Sequence, residues 1–190
     1  MSVMDILQRR RAIRNYQSAS IEREKIEQLL HAATLAPNDR MREPWNFYVI
    51  QGEKKNQYEE LALDYLIQRF PTKPNLVESS IQVVKNTPVI IIVAADMVDG
   101  NEEASTDNEY ATCCAIHSMW LAAEELGLGF VWRTRGVGLV RDERLRQFIR
   151  LPQDKKVVGS VFLGYPSQGE VEKLKEKSRT SYIEKTTWLS

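Results

Sequence analysis

The longest apolar run of the chain reads Val89-Ile90-Ile91-Ile92-Val93-Ala94-Ala95 and lies between Pro88 and Asp96. A continuous run of this kind, rich in β-branched residues, predicts a strand that is buried on both faces. It is far shorter than the roughly 20 residues that a helix needs to cross a bilayer. The run therefore indicates a buried sheet, and no membrane association is expected.

Working outward, the flanking patterns predict a mixture of strands and helices. Further strands are expected at Trp45–Ile50, Phe130–Thr134 and Val157–Leu163. Helices are expected after a Ser20 cap through Ala33, at Glu53–Arg69, from about Asn108 to Leu126, and around Leu145 to Ile149. Glu102–Asp107 is interpreted as a solvated turn, and Phe70–Pro74 as a loop. Since only some strands show βαβ spacing, the order favours an α+β sandwich over a doubly wound sheet.

Composition and charge restrict the class of protein. The 190 residues (21.9 kDa) are expected to form one domain spanning 1–190. Lys plus Arg equal Asp plus Glu at 26 each, which disfavours a nucleic-acid binder but allows one concentrated basic site. Neither a G-x-G-x-x-G nor a P-loop motif is present, which excludes those nucleotide folds. No apolar stretch typical of a secretory signal follows the N-terminal arginines, and the two cysteines are adjacent, so a reducing, cytoplasmic setting is expected.

Cys113 and His117 are four residues apart in a predicted helix, which is the spacing of two metal ligands. Because a zinc site needs three or four ligands and no companion motif exists, no metal site is expected. The pair is interpreted as buried or as part of an interface. The helix that carries it, Asn108–Leu126, is apolar on nearly all sides, which predicts a central or dimer-interface helix.

The N-terminal stretch Arg9-Arg10-Arg11-Ala12-Ile13-Arg14 concentrates four arginines in six residues. Two interpretations remain open on charge alone. The stretch is either a solvated face or a site where guanidinium groups bind an anion such as a phosphate.

The order of several motifs identifies a resemblance. Arg10-Arg11-Ala12-Ile13-Arg14-Asn15-Tyr16 resembles the R-R-S-x-R-x-(F/Y) opening of the FMN-dependent nitroreductase family. Later segments resemble that family's motifs in the same order, namely Ala36–Trp45, Leu121–Gly129, Phe130–Thr134, Val161–Pro166 and Lys177–Arg179. The strand Phe130–Thr134 is most similar to the short bacterial NAD(P)H nitroreductases.

The resemblance implies an α+β three-layer sandwich in which helices flank a mixed, mainly antiparallel sheet. It implies a homodimer that exchanges a C-terminal arm, residues 165–190, and binds FMN at the subunit interface. The implied reaction is ping-pong electron transfer through flavin N5, from NADH or NADPH to nitro compounds, quinones or a similar planar acceptor.

The resemblance also assigns cofactor-binding residues by position. Those expected near the FMN phosphate are Arg10, Arg11 and Ala12, with Lys177 and Arg179 from the arm. Arg14 is expected by the ribityl chain or the pyrimidine edge. Trp132, Arg133 and Thr134 should line the ring, and Pro37, Asn38 and Asp39 should reach the flavin of the partner subunit. Neither a catalytic acid nor a catalytic base is implied.

Several positions depart from the family pattern. The family's serines are Ala12 and Asn38 here, its asparagine is Met41 and its glutamine is Glu43. Short relatives often carry Arg and His where this chain has Leu35 and Asp39. An alternative therefore stays open, that of a flavin-binding or ligand-binding dimer without turnover. For Trp132, core packing stays open, and for Lys177 and Arg179 a solvated tail.

Overall fold

The computed structural model describes residues 2–172 and 181–189. Its helices and strands, in chain order, are α1 (Val3–Arg9), α2 (Arg23–Thr34), β1 (Trp45–Ile50), α3 (Glu53–Arg69), α4 (Pro74–Lys85), β2 (Val89–Asp96), α5 (Glu102–Glu125), β3 (Gly129–Arg133), α6 (Glu143–Phe148), β4 (Lys155–Gly164) and α7 (Gln168–Glu172). Short 3₁₀ turns lie at Asp39–Met41, Gly136–Gly138 and Tyr182–Lys185.

The four named strands form one sheet in the order β1-β2-β4-β3, and every neighbouring pair is antiparallel. The register places Ile92 opposite Ser160 and Arg133 opposite the same Ser160 on the other side. A parallel bridge joins Ala12 to Phe130 at the β3 edge. The expectation of a mixed, mainly antiparallel sheet is confirmed.

Alternate residues of the central strands enter two separate cores. Ile90, Ile92 and Phe162 pack with α3 and α4 on one face. Ile91 and Val161 pack with α2 and α5 on the other. Since both faces are covered, β2 is buried along its length, as its apolar run predicts. The three-layer α+β sandwich is confirmed.

Helix α5 begins earlier than its sequence suggests. It starts at Glu102, and the Asn101 side chain caps it by accepting a hydrogen bond from the Ala104 amide. The interpretation of Glu102–Asp107 as a solvated turn is wrong, because its acidic residues form the first turns of the helix, where the helix dipole favours them.

Two other helices differ from expectation, one at its first residue and one along its whole length. Helix α2 begins at Arg23 after Glu22, so Ser20 does not cap it. Helix α4 has no counterpart in the sequence analysis, since Pro74 looked like part of a loop. Proline suits the first helical position because its missing amide would have had no partner there, and Pro74 begins α4 in this way.

The start of the C-terminal arm lies on its own chain. The Asn15 side chain donates to Glu170 of α7 at 2.7 Å. Farther along, Trp188 and Leu189 are exposed. Exchange of the arm in a dimer stays a prediction. Within residues 2–172 and 181–189, helices are either too short or too polar to cross a membrane.

Candidate functional site

The basic segment that follows α1 lies along the edge of β3. The Ile13 amide donates to the Phe130 carbonyl at 3.1 Å, and the Gln17 amide donates to the Tyr165 carbonyl at 2.8 Å. These bonds, together with the bridge at Ala12, extend the sheet by an irregular strand. The fold thereby brings the predicted residues Arg10 to Arg14 beside the predicted residues Trp132 to Thr134.

Tyr16 fixes this segment to the sheet. Its ring is buried, and its hydroxyl oxygen lies 2.7 Å from the Ile13 carbonyl and 2.8 Å from the Phe162 carbonyl. Gly164 makes room for the ring, because a Cβ there would come within 2.7 Å of it. Burial raises the pKa of Tyr16, so the phenol stays neutral and serves as an anchor.

Arg133 carries the most unusual charge of this edge. Its side chain is partly buried, and its guanidinium carbon lies 4.8 Å from the centre of the Phe162 ring. In the part of the chain that the structure describes, its buried Nε has no hydrogen-bond partner and its guanidinium makes no ion pair. Burial lowers the pKa of Arg133, and the nearby charge of Arg14 lowers it further. A guanidinium remains protonated at neutral pH, so this edge offers a cation without a counter-ion.

The other arginines of the segment take up different positions. The Arg10 guanidinium carbon lies 4.2 Å from the centre of the Trp120 ring on α5. Arg11 donates to the carbonyls of Gln8 and Arg10. Exposed Arg14 donates to the Ala12 carbonyl at 3.3 Å. The cations therefore surround the β3 edge and do not cluster at one point.

Trp132 and Thr134 differ in what surrounds them. Trp132 points away from Arg133 and packs against the α2 and α5 core, which supports the core-packing alternative for part of its ring. Gly159 makes that position possible, since a Cβ there would lie 2.0 Å from the indole Nε1. Among the described residues that buried N–H also has no acceptor. Thr134 is exposed just beyond the end of β3.

The loop with Pro37, Asn38 and Asp39 precedes β1, at the opposite edge of the sheet. Three interstrand spacings of about 4.8 Å, roughly 14 Å, separate β1 from β3. The Asp39 carboxylate pairs with Arg42 at 3.1 Å, and the Asn38 side chain accepts from the Glu43 amide at 2.9 Å. A single chain does not bring this loop to Arg133. Contact with the partner's flavin stays a prediction.

The remaining sequence predictions meet the structure in part. Lys177 and Arg179 lie outside the described residues. The expectation of a buried or interface pair at Cys113 and His117 is not met within one chain: Cys113 is half-buried, but His117 is exposed on the outer side of α5. Burial raises the pKa of the Cys113 thiol. Within the described ranges, no three ligand-type side chains are grouped closely enough to hold a metal ion.

A cavity of about 600 Å³, which the sequence analysis missed, adjoins Thr134. Its arginines are Arg69, Arg135 and Arg141, which lie far apart in the sequence. Each comes from a different element: α3, the turn after β3 and the segment before α6. No local pattern could have indicated the cavity, because only the fold brings these elements together.

Comparison with known proteins agrees with the fold. The model of the nitroreductase family matches residues 7–165. The chain belongs to the nitroreductase family. The expectation of an enzyme of the oxidoreductase class is confirmed with it.

One relative and two solved structures illustrate the similarity of this nitroreductase family member to known proteins. The Bacillus subtilis protein YfhC, provisionally named an NAD(P)H nitroreductase, is 28% identical over 95% of this chain and 92% of its own. The crystal structure of a nitroreductase-like family protein from Bacillus cereus has a TM-score of 0.84 at 25% identity, covering 100% and 96% of the two chains. A Desulfovibrio desulfuricans protein solved in complex with FMN has a TM-score of 0.73 at 24% identity, covering 100% and 98%.

Proposed function

We propose that the chain is an FMN-dependent NAD(P)H oxidoreductase that reduces nitro compounds, quinones or a similar planar acceptor by ping-pong electron transfer through flavin N5. The observation that carries the proposal is Arg133, a partly buried cation without a counter-ion among the described residues, beside Arg14 on the β3 edge. The name of the Bacillus subtilis relative supports NAD(P)H as donor, and the Desulfovibrio complex supports FMN.

The charge and the hydrogen-bond donors of the residues present suit FMN. Its phosphate is an anion and its pyrimidine ring carries hydrogen-bond acceptors, which suit guanidinium donors. Arg133 Nε is a buried donor that lacks an acceptor in the described part of the chain. In this proposal Arg10, Arg11 and Ala12 hold the phosphate end, and Arg14 and Arg133 lie by the ribityl chain or the pyrimidine edge. Lys177 and Arg179 would add further cations from the arm.

Bound FMN would supply the chemistry of accepting a hydride and passing electrons on. The chain's own residues would bind and orient it. The charge of Arg14 would favour the negative charge that the pyrimidine edge gains on reduction, since opposite charges attract strongly where water is partly excluded. Trp132 and Thr134 would line the ring. This role requires no side chain to act as a catalytic acid or base.

The proposal includes a homodimer. Pro37, Asn38 and Asp39 lie at the sheet edge opposite the basic segment, so a second copy could supply this loop to the flavin. Tyr110, Cys114 and His117 follow one another along an exposed side of α5, which offers an interface. Two adjacent cysteines, unsuited to a structural disulfide, are consistent with a reducing cytoplasm.

Anaerobic reduction tests the proposed function. The purified protein is expected to be yellow, to hold about one FMN per chain, and to lose its colour when NADPH or NADH is added without oxygen. A nitroaromatic or a quinone should then restore the colour. A protein that binds FMN but is bleached by neither donor would instead be the flavin-binding dimer without turnover. A colourless protein that takes up no added FMN would refute both.

A further inference from the structure

The cavity beside Thr134 concentrates positive charge. Arg69, Arg135 and Arg141 line it, all three are exposed, and none forms an ion pair within residues 2–172 and 181–189. A guanidinium group carries a positive charge in proteins, so the cavity is a basic site. Their exposure leaves them accessible to a ligand from solvent.

The carboxylate in the cavity wall does not neutralise these cations. Asp142 is held by Arg144 through two hydrogen bonds of 2.8 Å. The hydrogen bond from Arg144 lowers the pKa of Asp142, so the carboxyl stays ionised and paired. The neighbouring Glu143 lies 3.7 Å from Arg146. Three guanidinium charges are left without an acidic partner in the described chain.

Contacts within the chain hold part of the cavity wall in place. The Tyr58 hydroxyl donates to the Val137 carbonyl at 2.7 Å and thereby ties the 3₁₀ turn Gly136–Gly138 to α3. Gly136 adopts φ 60°, a left-handed conformation that glycine accommodates without strain. The Arg69 guanidinium carbon lies 6.0 Å from the centre of the Tyr65 ring, within the range of cation–π attraction. The backbone of this wall therefore needs little reordering when a ligand binds, and the main entropic cost is the ordering of the three arginine side chains.

We infer that this cavity binds the 2′-phosphate of the nicotinamide donor, and that its three arginines thereby select NADPH, which carries that group, over NADH. The inference rests on the proposed function, because it concerns the donor of that reaction. A phosphomonoester presents three oxygens and up to two negative charges, which guanidinium forks recognise well. The volume of about 600 Å³ falls within the usual range of ligand pockets.

Position supports the same ligand. Thr134 lines the cavity and directly follows Arg133, the partly buried cation of the β3 edge. A donor whose 2′-phosphate rests on Arg69, Arg135 and Arg141 would therefore lie beside the proposed flavin site. An extended dinucleotide joins a reactive ring to distant phosphates, which matches this arrangement.

Binding of adenosine 2′,5′-bisphosphate and of AMP to the flavin-loaded protein, measured by calorimetry, tests the inference without turnover. The bisphosphate is expected to bind at least about tenfold more tightly, because it adds charge-assisted hydrogen bonds. Arg69→Ala and Arg141→Ala should each remove most of that preference, and Arg69→Lys should retain part of it. Arg23→Ala on α2, whose arginine pairs with Glu27, is the matched control and should change nothing.

Kinetics provide the second readout. In Arg69→Ala and Arg141→Ala the KM for NADPH is expected to rise about tenfold, while the KM for NADH and the kcat stay close to wild type. Equal binding of the two nucleotides to the wild-type protein would overturn the inference. The inference would also be overturned if Arg69→Ala and Arg141→Ala raised the KM for an acceptor that bears a carboxylate and left the KM for NADPH unchanged. Bleaching by NADH and NADPH alike, with no preference, would refute the inference while leaving the proposed function intact.

Discussion

Lys155 and Arg133 lie toward the same end of the sheet but differ in their partners. Lys155 begins β4, and its ammonium group donates to the Asp96 carboxylate, which also accepts from Asn46 at 2.7 Å. Arg133 ends β3 and has no carboxylate partner in the described chain. The hydrogen bond to Asp96 raises the pKa of Lys155, whereas burial lowers the pKa of Arg133.

Lys155 and Arg133 illustrate two roles that a cation can have in a folded protein. A paired cation satisfies its own charge inside the fold and contributes modestly to stability. A partly buried cation without a counter-ion costs free energy, because its desolvation is not offset within the chain. The nitroreductase family member keeps such a cation at the edge where its basic segment lies. In the proposed function FMN provides the missing partner.

The largest expected effect tests the flavin-binding role of the basic segment beside Arg133. Arg10→Ala should weaken FMN binding by about 1.5–3 kcal/mol, the scale of a hydrogen bond to a charged group. Titration of FMN into the apoprotein, followed by quenching of flavin fluorescence, measures the affinity.

Arg9→Ala is the control for that prediction. Arg9 lies one residue earlier, mostly exposed, with its Nε 3.6 Å from the Glu124 carboxylate. Its removal should change FMN affinity by less than about 0.5 kcal/mol. Superimposed curves for wild type, Arg10→Ala and Arg9→Ala would mean that the basic segment is only a solvated face.

The next effect concerns the packing behind Arg133. Gly159→Ala should lower the free energy of unfolding by about 1–3 kcal/mol, because the new Cβ would meet the Trp132 indole at 2.0 Å and force it to move. Urea unfolding measures the change. Gly169→Ala is the control, since a Cβ there meets nothing within 4 Å. Equal stability of the two variants would show that Trp132 moves freely.

A smaller effect is expected from the paired side. Lys155→Met should lower the free energy of unfolding by at most about 1 kcal/mol, because its partner Asp96 is partly exposed. Since the pKa of Lys155 is raised in the folded state, the contribution of the pair is present at neutral pH and is lost only as the pH rises through that folded value. Urea unfolding at pH 7 measures the loss. A loss well above about 1 kcal/mol would contradict the partial exposure of the Lys155–Asp96 pair in this structure.

The smallest effect involves Asp142, the paired carboxylate in the cavity wall. Asp142→Asn keeps an N-cap for α6 but removes the charge that Arg144 binds, and should cost about 0.5 kcal/mol at pH 7. The pKa of Asp142 is lowered in the folded state, so this contribution is present above the unfolded value of about 3.9. It is lost as the pH falls through the lower folded value. The stability difference between Asp142→Asn and wild type should therefore be smaller at pH 3 than at pH 7, and a difference that does not change with pH would contradict the ion pair.

Much of the fold could be predicted because its strands are short and strongly patterned. Val89–Asp96 is apolar at every position but the last, so its burial on both faces could be read directly. The start of α5 could not, because acidic residues at a helix N-terminus resemble those of a solvated turn. Helix α4 was missed because Pro74 occurs in loops and at first helical positions alike.

The candidate site likewise contains residues that the sequence could predict and residues that it could not. Arg10 to Arg14 are contiguous, so their charge is visible in the sequence. The burial of Arg133 depends on Phe162, which only the register of β3 and β4 brings near. The arginines of the cavity come from three separate elements. Sequence could indicate an anion site, but not which arginines lack an acidic partner.

The most direct test compares Arg133→Met with Lys155→Met, two variants that replace a cation by a side chain of similar length. FMN titration of the apoproteins should show an affinity at least about tenfold weaker for Arg133→Met, and an unchanged affinity for Lys155→Met. The apoprotein of Arg133→Met should unfold at the same urea concentration as wild type or a higher one, since an uncompensated charge is removed. Wild-type FMN affinity in Arg133→Met, or weakened affinity in Lys155→Met alone, would contradict the assignment of the β3 edge as the flavin site.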